Sequence, residues 1–250
     1  MKRFSICIPS HDRGINGPIW IRELFDSLNM QTFKDFDVVV SDQSKNDNIL
    51  NVCKEYSDNF EFTYLRYEGN IPCENINVGL EECTGDIIKI MFSDDVFVSS
   101  QSLEIINDFY SKNETKWSFS GFCEMTEDGK TFYDEKQPKW SDYTLEGRNL
   151  LSSPSVVCFR NQCKDYFDPK LKNLLDTEFY HRMRWKNGLP HFIPETLVAN
   201  RQHNNRISSN GYDAVIEHPE GNWMVNTQEI DYIRNKHSNF YSNRKYPDEN

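Results

Sequence analysis

Long hydrophobic runs are missing: nothing in the 250 residues approaches the ~20 consecutive apolar residues of a membrane span. The apolar stretch behind Met1-Lys2-Arg3 is too short for the core of a secretory signal. The cysteines number seven, an odd count without CxxC spacing, which argues against a disulfide framework or a zinc ribbon. Reduced thiols in a cytoplasmic protein are the expectation. GxGxxG, GxxxxGK[ST] and GxSxG are all absent, so neither a dinucleotide cradle, a P-loop nor a nucleophile elbow is supported. Positive charge is scarce, with 28 Lys and Arg against 39 Asp and Glu and a net charge of −11. That balance disfavours nucleic acid as a partner, leaving room only for a local basic patch, and suits a protein that meets anionic ligands through a divalent cation.

What is present is a folded chain. Hydrophobic residues make up 37% and aromatics 14%, well above a disordered composition. The first half alternates between two periods. FSICIPS (4–10), DVVVSDQ (37–43), FEFTYLRY (60–67) and DIIKIMF (86–92) read as strands. Between them, helical spacing follows Pro18, Ile49 and Pro72, and another helix follows Ser99-Ser100 as candidate caps. This alternation predicts an α/β fold, a mostly parallel central sheet with helices on both faces. Beyond it a mixed portion is expected: a strand at Trp117 to Met125, a hairpin turn at Asp128-Gly129, a strand at 155–160, and a helix carrying Leu175, Phe179 and Met183 that stops at Gly188. Trp223, Ile230 and Ile233 suggest a last helix before a fraying polar tail. The expected division is a domain over 1–210, in halves 1–112 and 113–210, with an extension over 211–250.

In parallel sheets ligands bind beyond the carboxyl ends of the strands. The groups standing there are Ser10-His11-Asp12, Asp42-Gln43 and Ser93-Asp94-Asp95. The Asp94-Asp95 pair repels itself unless a hard cation sits between it and a phosphate, although a solvated turn explains a lone Asp-Asp equally simply. Asp42 can accept from a base or ribose, or merely form an Asx turn. Asp176 is either the N-cap of its helix or a base, since a capping oxygen is already engaged; Glu178 is the local substitute. His203 lies in a polar loop between Arg201 and Arg206, two residues able to neutralise a diphosphate. Trp117, Trp140, Tyr143 and Trp185 are expected in core packing before sugar stacking.

Taken in order, ICIPSHDR, VVVSDQSKND, GNIPCENINVGLEECTGDIIKIMFSDD, SVVCFRNQCKDYFDPKLKNLLDTEFYHRMRWKNG and RQHNNRIS resemble the motifs of the family-2 glycosyltransferases with the A-type nucleotide-sugar fold. The resemblance spans about residues 4–208. It implies a nucleotide-sugar pocket built by Pro9, Ser10, Asp12, Arg13, Asp42, Asn77, Asp94, Arg201 and Arg206, with Asp42 on the base. It further implies a divalent cation, Mn²⁺ or Mg²⁺, on Asp95, Asp94 and His203, and Asp176 as general base. Three positions depart from the pattern. Phe92 stands where an acidic triplet often begins, Ile76 where an Arg is common, and Leu175 where a Glu is common.

The implied activity is metal-dependent, inverting transfer of a sugar from a nucleotide-diphosphate donor, a UDP-sugar foremost, to a glycan or glycolipid hydroxyl in surface polysaccharide or lipopolysaccharide synthesis. The implied setting is the cytoplasm, with peripheral contact at the inner membrane surface. A nucleotidyltransferase and a non-catalytic nucleotide- or sugar-binding module are the rival readings. Donor hydrolysis with Mn²⁺ separates an enzyme from a module.

Overall fold

The computed structural model describes residues 2–204, 206, 211–243 and 245–247; Asn205 and 207–210 of the polar loop lie outside the described residues. Strands β1 (Phe4–Ser10), β2 (Phe36–Asp42), β3 (Glu61–Arg66) and β4 (Ile87–Ile90) pair in parallel in the order β3-β2-β1-β4. Ser10 stands opposite Asp42 and Cys7 opposite Ile90, so Ser10, Asp42 and the segment after Ile90 reach one common edge. Side chains alternate across a strand, sending Cys7 and Ser41 to one face and Phe4 and Phe36 to the other. Helix α3 (Pro72–Glu82) covers the first face, with Pro72 in its first turn. It approaches so closely that a Cβ on Gly79 would lie 2.9 Å from both the Cys7 sulfur and the Ser41 hydroxyl. Helices α1 (Asn16–Asn29) and α2 (Asn48–Glu55) cover the second face, where Phe25 of α1 packs on Tyr56, Phe60 and Phe62.

The sheet continues through β5 (Val96–Phe97), β6 (Trp117–Met125), β7 (Phe132–Lys136), β8 (Val157–Arg160) and β9 (His191–Arg201). The order β4-β8-β6-β9-β5, with β7 on β6, completes nine strands. Here β6 and β9 are parallel and the other pairings antiparallel, which is the expected mixed portion. Helix α4 (Ser102–Lys112) precedes β6, and α5 (Leu175–Asn187) ends at Gly188, whose φ of 84° stops it. A short hairpin of β10 (Ala214–Ile216) and β11 (Trp223–Val225) leads to α6 (Thr227–Lys236) and α7 (Ser238–Asn243).

Four local expectations need correction. The β4 ladder stops at Ile90, and the chain then turns, the Asp95 N–H closing on the Phe92 carbonyl at 3.0 Å. Neither Ser99 nor Ser100 caps α4; the Gln31 side chain reaches across to accept from Leu103 N at 3.0 Å. Trp223 belongs to β11, because α6 begins only at Thr227, where the Asn226 side chain accepts from Glu229 N. Nor does the tail simply fray: Tyr246 is buried, its ring 4.4 Å from the Arg184 guanidinium and beside Trp140. Val225, Ile230, Ile233 and Phe240 join the same core as the central strands. All seven cysteines are unpaired and buried, and desolvation pushes the Cys53 thiol up to about 12. Among the described residues no helix is long and apolar enough to cross a membrane.

Candidate active site

A cavity of about 480 Å³ opens at the carboxyl edge of β1, β2 and β4. Pro9, Ser10, Arg13, Asp94, Asp95, Asp176, Arg201 and Arg206, all candidates from the sequence, line this one space, and so do the departing positions Phe92, Ile76 and Leu175. Separate stretches of the chain, the ends of β1 and β4, the helices α3 and α5 and the segment after β9, are thus brought together.

One wall is the turn after β4. Asp94 and Asp95 are both nearly inaccessible, and His203 sits over them with Nε2 2.8 Å from Asp94 Oδ2. The Arg13 guanidinium stands 3.6 Å from the same carboxylate. Burial pushes the Asp94 carboxyl up, but the His203 hydrogen bond and the Arg13 charge outweigh it and hold Asp94 below the ordinary range. Asp95 goes the other way: burial and the neighbouring Asp94 charge raise it well above an ordinary carboxyl. Arg201 organises this wall. Its peptide N–H donates to Asp95 Oδ1 (2.9 Å), its Nε to the Asp94 carbonyl (2.8 Å), and its remaining nitrogens to the Glu127 carbonyl (2.7 Å) and to Glu23. With its guanidinium committed in this way, Arg201 holds the acidic turn in shape, which corrects its expected place on a diphosphate. Arg13, Lys172 and Arg206 bring further positive charge to the cavity lining, and Arg13 has a backbone φ of 43°.

Two adjacent buried carboxylates and an imidazole are the donor chemistry of a divalent cation, and the raised Asp95 is the mark of a pair that a cation would relieve. Among the described residues no three His, Cys, Asp or Glu side chains are preassembled at ligand spacing. Asp94, Asp95 and His203 nevertheless fit the group.

Asp176 reaches the same cavity from α5. It is not the N-cap, a place taken by Leu174 without any side-chain bond. It stands instead in the first turn of α5, accepting from Thr177 N at 2.7 Å and from Asn149 Nδ2 at 2.6 Å. Burial drives its carboxyl up to about 6, against the lowering by Thr177 and Asn149 and with a further push from the Glu229 charge. Asn149 is fixed in turn, since its Oδ1 accepts from Leu151 N (2.9 Å) and Ser152 N (3.0 Å). Below, Glu229 of α6 receives the peptide N–H groups of Lys172, Asn173 and Leu174 at 2.8–3.1 Å, securing the strip of chain that enters α5. Neither Asn149 nor Glu229 was a candidate from the sequence. The only trace of Glu229 was its place three residues after Asn226, a capping-box spacing.

Five candidates are not among the residues lining the cavity: His203, which meets it through Asp94, and four that lie elsewhere. Asp42 is fully buried; Oδ1 is taken by Ser44, and Oδ2 by the Tyr64 hydroxyl at 2.7 Å with Arg66 at 3.4 Å. It braces the loop after β2 and offers no oxygen to a ligand. Asp12 shapes the turn into α1: its carboxylate accepts from Asn46, and its carbonyl accepts from Gly17 N at 2.7 Å, where a Cβ would collide. Asn77 clamps Phe167, donating to its carbonyl (2.8 Å) and accepting from its N–H (2.7 Å). Glu178 points away into Arg182, Lys236 and His237; burial would raise it, but the His237 hydrogen bond and the Arg182 and Lys236 charges bring it down to about 2. An acid held that low, and outside the cavity, is no substitute for Asp176. Trp117 is core, packed on Phe119 and Trp140, whereas Trp185 keeps 42% of its surface exposed.

The family model described as Glycosyl transferase family 2 matches residues 5–207. An uncharacterized glycosyltransferase of Haemophilus influenzae is 25% identical over 239 residues, 92% of this chain and 75% of that protein. An uncharacterized glycosyltransferase of Rickettsia felis is 27% identical over 128 residues, 51% of this chain but 20% of the relative's length. Among solved structures, Staphylococcus aureus TarS 1–349 in complex with UDP-GlcNAc superimposes with a TM-score of 0.67 at 21% identity, covering 85% of this chain and 62% of that one. A mannosyltransferase from Pyrobaculum calidifontis in complex with GDP-Man and Mn²⁺ gives 0.58 at 13% identity, covering 80% and 56%. These likenesses show the fold, an α/β architecture with a large central sheet shared with glycosyltransferases of the A type. With its sequence matched from β1 through β9 and its strands in that arrangement, the chain belongs to glycosyl transferase family 2.

Proposed function

We propose that the chain moves a glycosyl group from a nucleotide-diphosphate sugar to an acceptor hydroxyl, with inversion at the anomeric carbon. One observation carries this reading: a single cavity is lined by the acidic pair of the turn after β4 and by a lone carboxyl of α5 raised to about 6. The diphosphate belongs beside Arg13 and Arg206, and a Mn²⁺ or Mg²⁺ ion would be held by Asp94, Asp95 and His203. When bound, the cation supplies neutralisation of the charge that gathers on the departing phosphate. Asp176, fixed by Thr177 N and Asn149, takes the proton of the incoming hydroxyl, a contribution of roughly 10²–10⁴-fold. Attack from the Asp176 side on a sugar whose phosphate lies on the Asp94 side is an in-line displacement, hence inversion. The TarS complex with UDP-GlcNAc supports a UDP-sugar as donor. For the acceptor we favour a glycan or glycolipid in surface polysaccharide or lipopolysaccharide synthesis, reached at the inner membrane surface.

The test is UDP release from UDP-GlcNAc with Mn²⁺, with and without EDTA, in the wild type and in Asp95→Ala and Asp176→Asn. Metal-dependent release, lost in Asp176→Asn with donor binding kept, is expected. Asp95→Ala should weaken donor binding in Mn²⁺ while leaving metal-free binding alone. Binding without release would favour a non-catalytic module, and pyrophosphate as product would favour a nucleotidyltransferase. Either result overturns the proposal.

A further inference from the structure

The end of the cavity between β1 and α3 contains two buried polar atoms that no protein group satisfies: Asn75 Oδ1 and Ser10 Oγ. Both residues are only 3% exposed, and both line the cavity. A buried polar atom without a partner costs about 1–3 kcal/mol, so two on residues that line one cavity call for a partner. The Asn75 amide is oriented without ambiguity. Its Nδ2 donates to the Ser10 carbonyl at 3.2 Å, and a flipped amide would set oxygen against oxygen. The acceptor Oδ1 is therefore the atom left over. The Ser10 carbonyl also takes Gln43 N at 3.1 Å, which ties the ends of β1 and β2 to the first turn of α3. Asp42, the carboxylate at the end of β2, is engaged by Ser44, Tyr64 and Arg66 and is not available to the Ser10 hydroxyl, and a carboxylate is no donor for Asn75 Oδ1.

We propose that Asn75 and Ser10 read the nucleoside base of the donor, Asn75 Oδ1 accepting a ring N–H and the Ser10 hydroxyl donating to the adjacent ring carbonyl. That pattern is the lactam edge of uracil, and guanine presents it too. Cytosine instead sets a ring-nitrogen lone pair against Oδ1. The inference rests on the donor reading above and assigns its base selectivity to two neutral groups in place of a carboxylate. A site built to hydrogen-bond one edge penalises an analogue lacking it, because its own buried groups are then left unpaired.

Calorimetric titration of the full chain with UDP and with CDP, each with Mn²⁺, tests it. UDP should bind at least about tenfold more tightly than CDP, the factor expected from one well-placed buried hydrogen bond. Asn75→Ala should lower UDP affinity about tenfold and bring the two nucleotides level. Ser10→Ala removes a hydroxyl that has no protein partner, so it should leave the thermal midpoint unchanged or raised while weakening UDP. Equal affinity of the wild type for UDP and CDP overturns the inference, even if Asn75→Ala fails to fold. Unaltered UDP affinity in folded Asn75→Ala or Ser10→Ala overturns it as well and leaves the donor reading standing. If the wild type binds neither nucleotide, the donor reading falls and takes this inference with it.

Discussion

Asp176 is a place where the fold works against its own stability. Desolvation pushes the carboxyl of the half-buried Asp176 from an ordinary 3.8 up to about 6. At about 1.36 kcal/mol per pH unit, ionising it in the native state costs about 3 kcal/mol of stability. The sign follows from the direction. The fold prefers the protonated carboxyl, so that stability is fully present below about pH 4 and is lost as the pH rises through about 6. Asp176→Asn abolishes the titration at a different cost. The new amide oxygen keeps the Thr177 N–H, but the new amide nitrogen faces Asn149 Nδ2, donor against donor. Asn149 cannot turn over to help, because Leu151 N and Ser152 N hold its oxygen. That mismatch costs about 1 kcal/mol. The variant should therefore be about 1 kcal/mol less stable than wild type near pH 4 and about 2 kcal/mol more stable at pH 8. It should lose roughly 10²–10⁴-fold in transfer. Urea unfolding of both proteins at intervals from pH 4 to pH 8 measures the first effect, and a turnover assay measures the second. A stability difference that does not change with pH would refute the reasoning, whatever the activity does.

Three further outcomes follow from the same geometry. Asn149→Ala removes a donor to the Asp176 carboxylate, so the acidic limb of the transfer rate should move to higher pH by up to about one unit; a limb that stays in place would count against Asn149 as a positioning residue. Glu229→Ala leaves the N–H groups of Lys172, Asn173 and Leu174 without their acceptor and should cost about 1–3 kcal/mol in urea unfolding, with Glu229→Gln recovering part. Arg201→Met strips partners from the partly exposed Glu23 and from the Asp94 and Glu127 carbonyls, for a loss of about 1–3 kcal/mol by the same measurement; near-wild-type stability there would show that Arg201 is not the brace of the acidic turn.

The parallel half of the sheet was readable because its strands and helices differ in period, and because apolar runs such as VVV and IIKI end on polar groups. Asp94 and Asp95 were located by that same punctuation. Asp42 looked equivalent, standing at the end of β2 as Asp94 stands beyond β4. What separates them is the neighbour across the sheet: Tyr64 and Arg66 of β3 close over Asp42, a contact between residues more than 20 positions apart. Asn149 lies in a stretch with no periodicity, and its role exists only once α5 is brought against it. Arg201 misled for a related reason, since a guanidinium at a strand end reads as a phosphate ligand until Glu23 and Glu127 are seen to occupy it. Residue type sets what a group can do. Whether it is still free to do it is decided by partners distant in sequence.

The carboxylate of Glu229 has an effect on polarity beyond its hydrogen bonds. A helix N-terminus presents bare N–H groups and the positive end of its dipole, which ordinarily attracts phosphate. At the entrance to α5 that attraction is already spent on an internal anion, because Lys172, Asn173 and Leu174 all point their N–H groups at Glu229. At this end of the cavity the positive charge is therefore carried by a side chain, that of Lys172, and not by peptide groups. An anionic ligand meets discrete cations, Lys172 as well as Arg13 and Arg206, in place of a helix dipole. A residue beyond the stretch matched by the family model thus decides what kind of positive charge the cavity offers there.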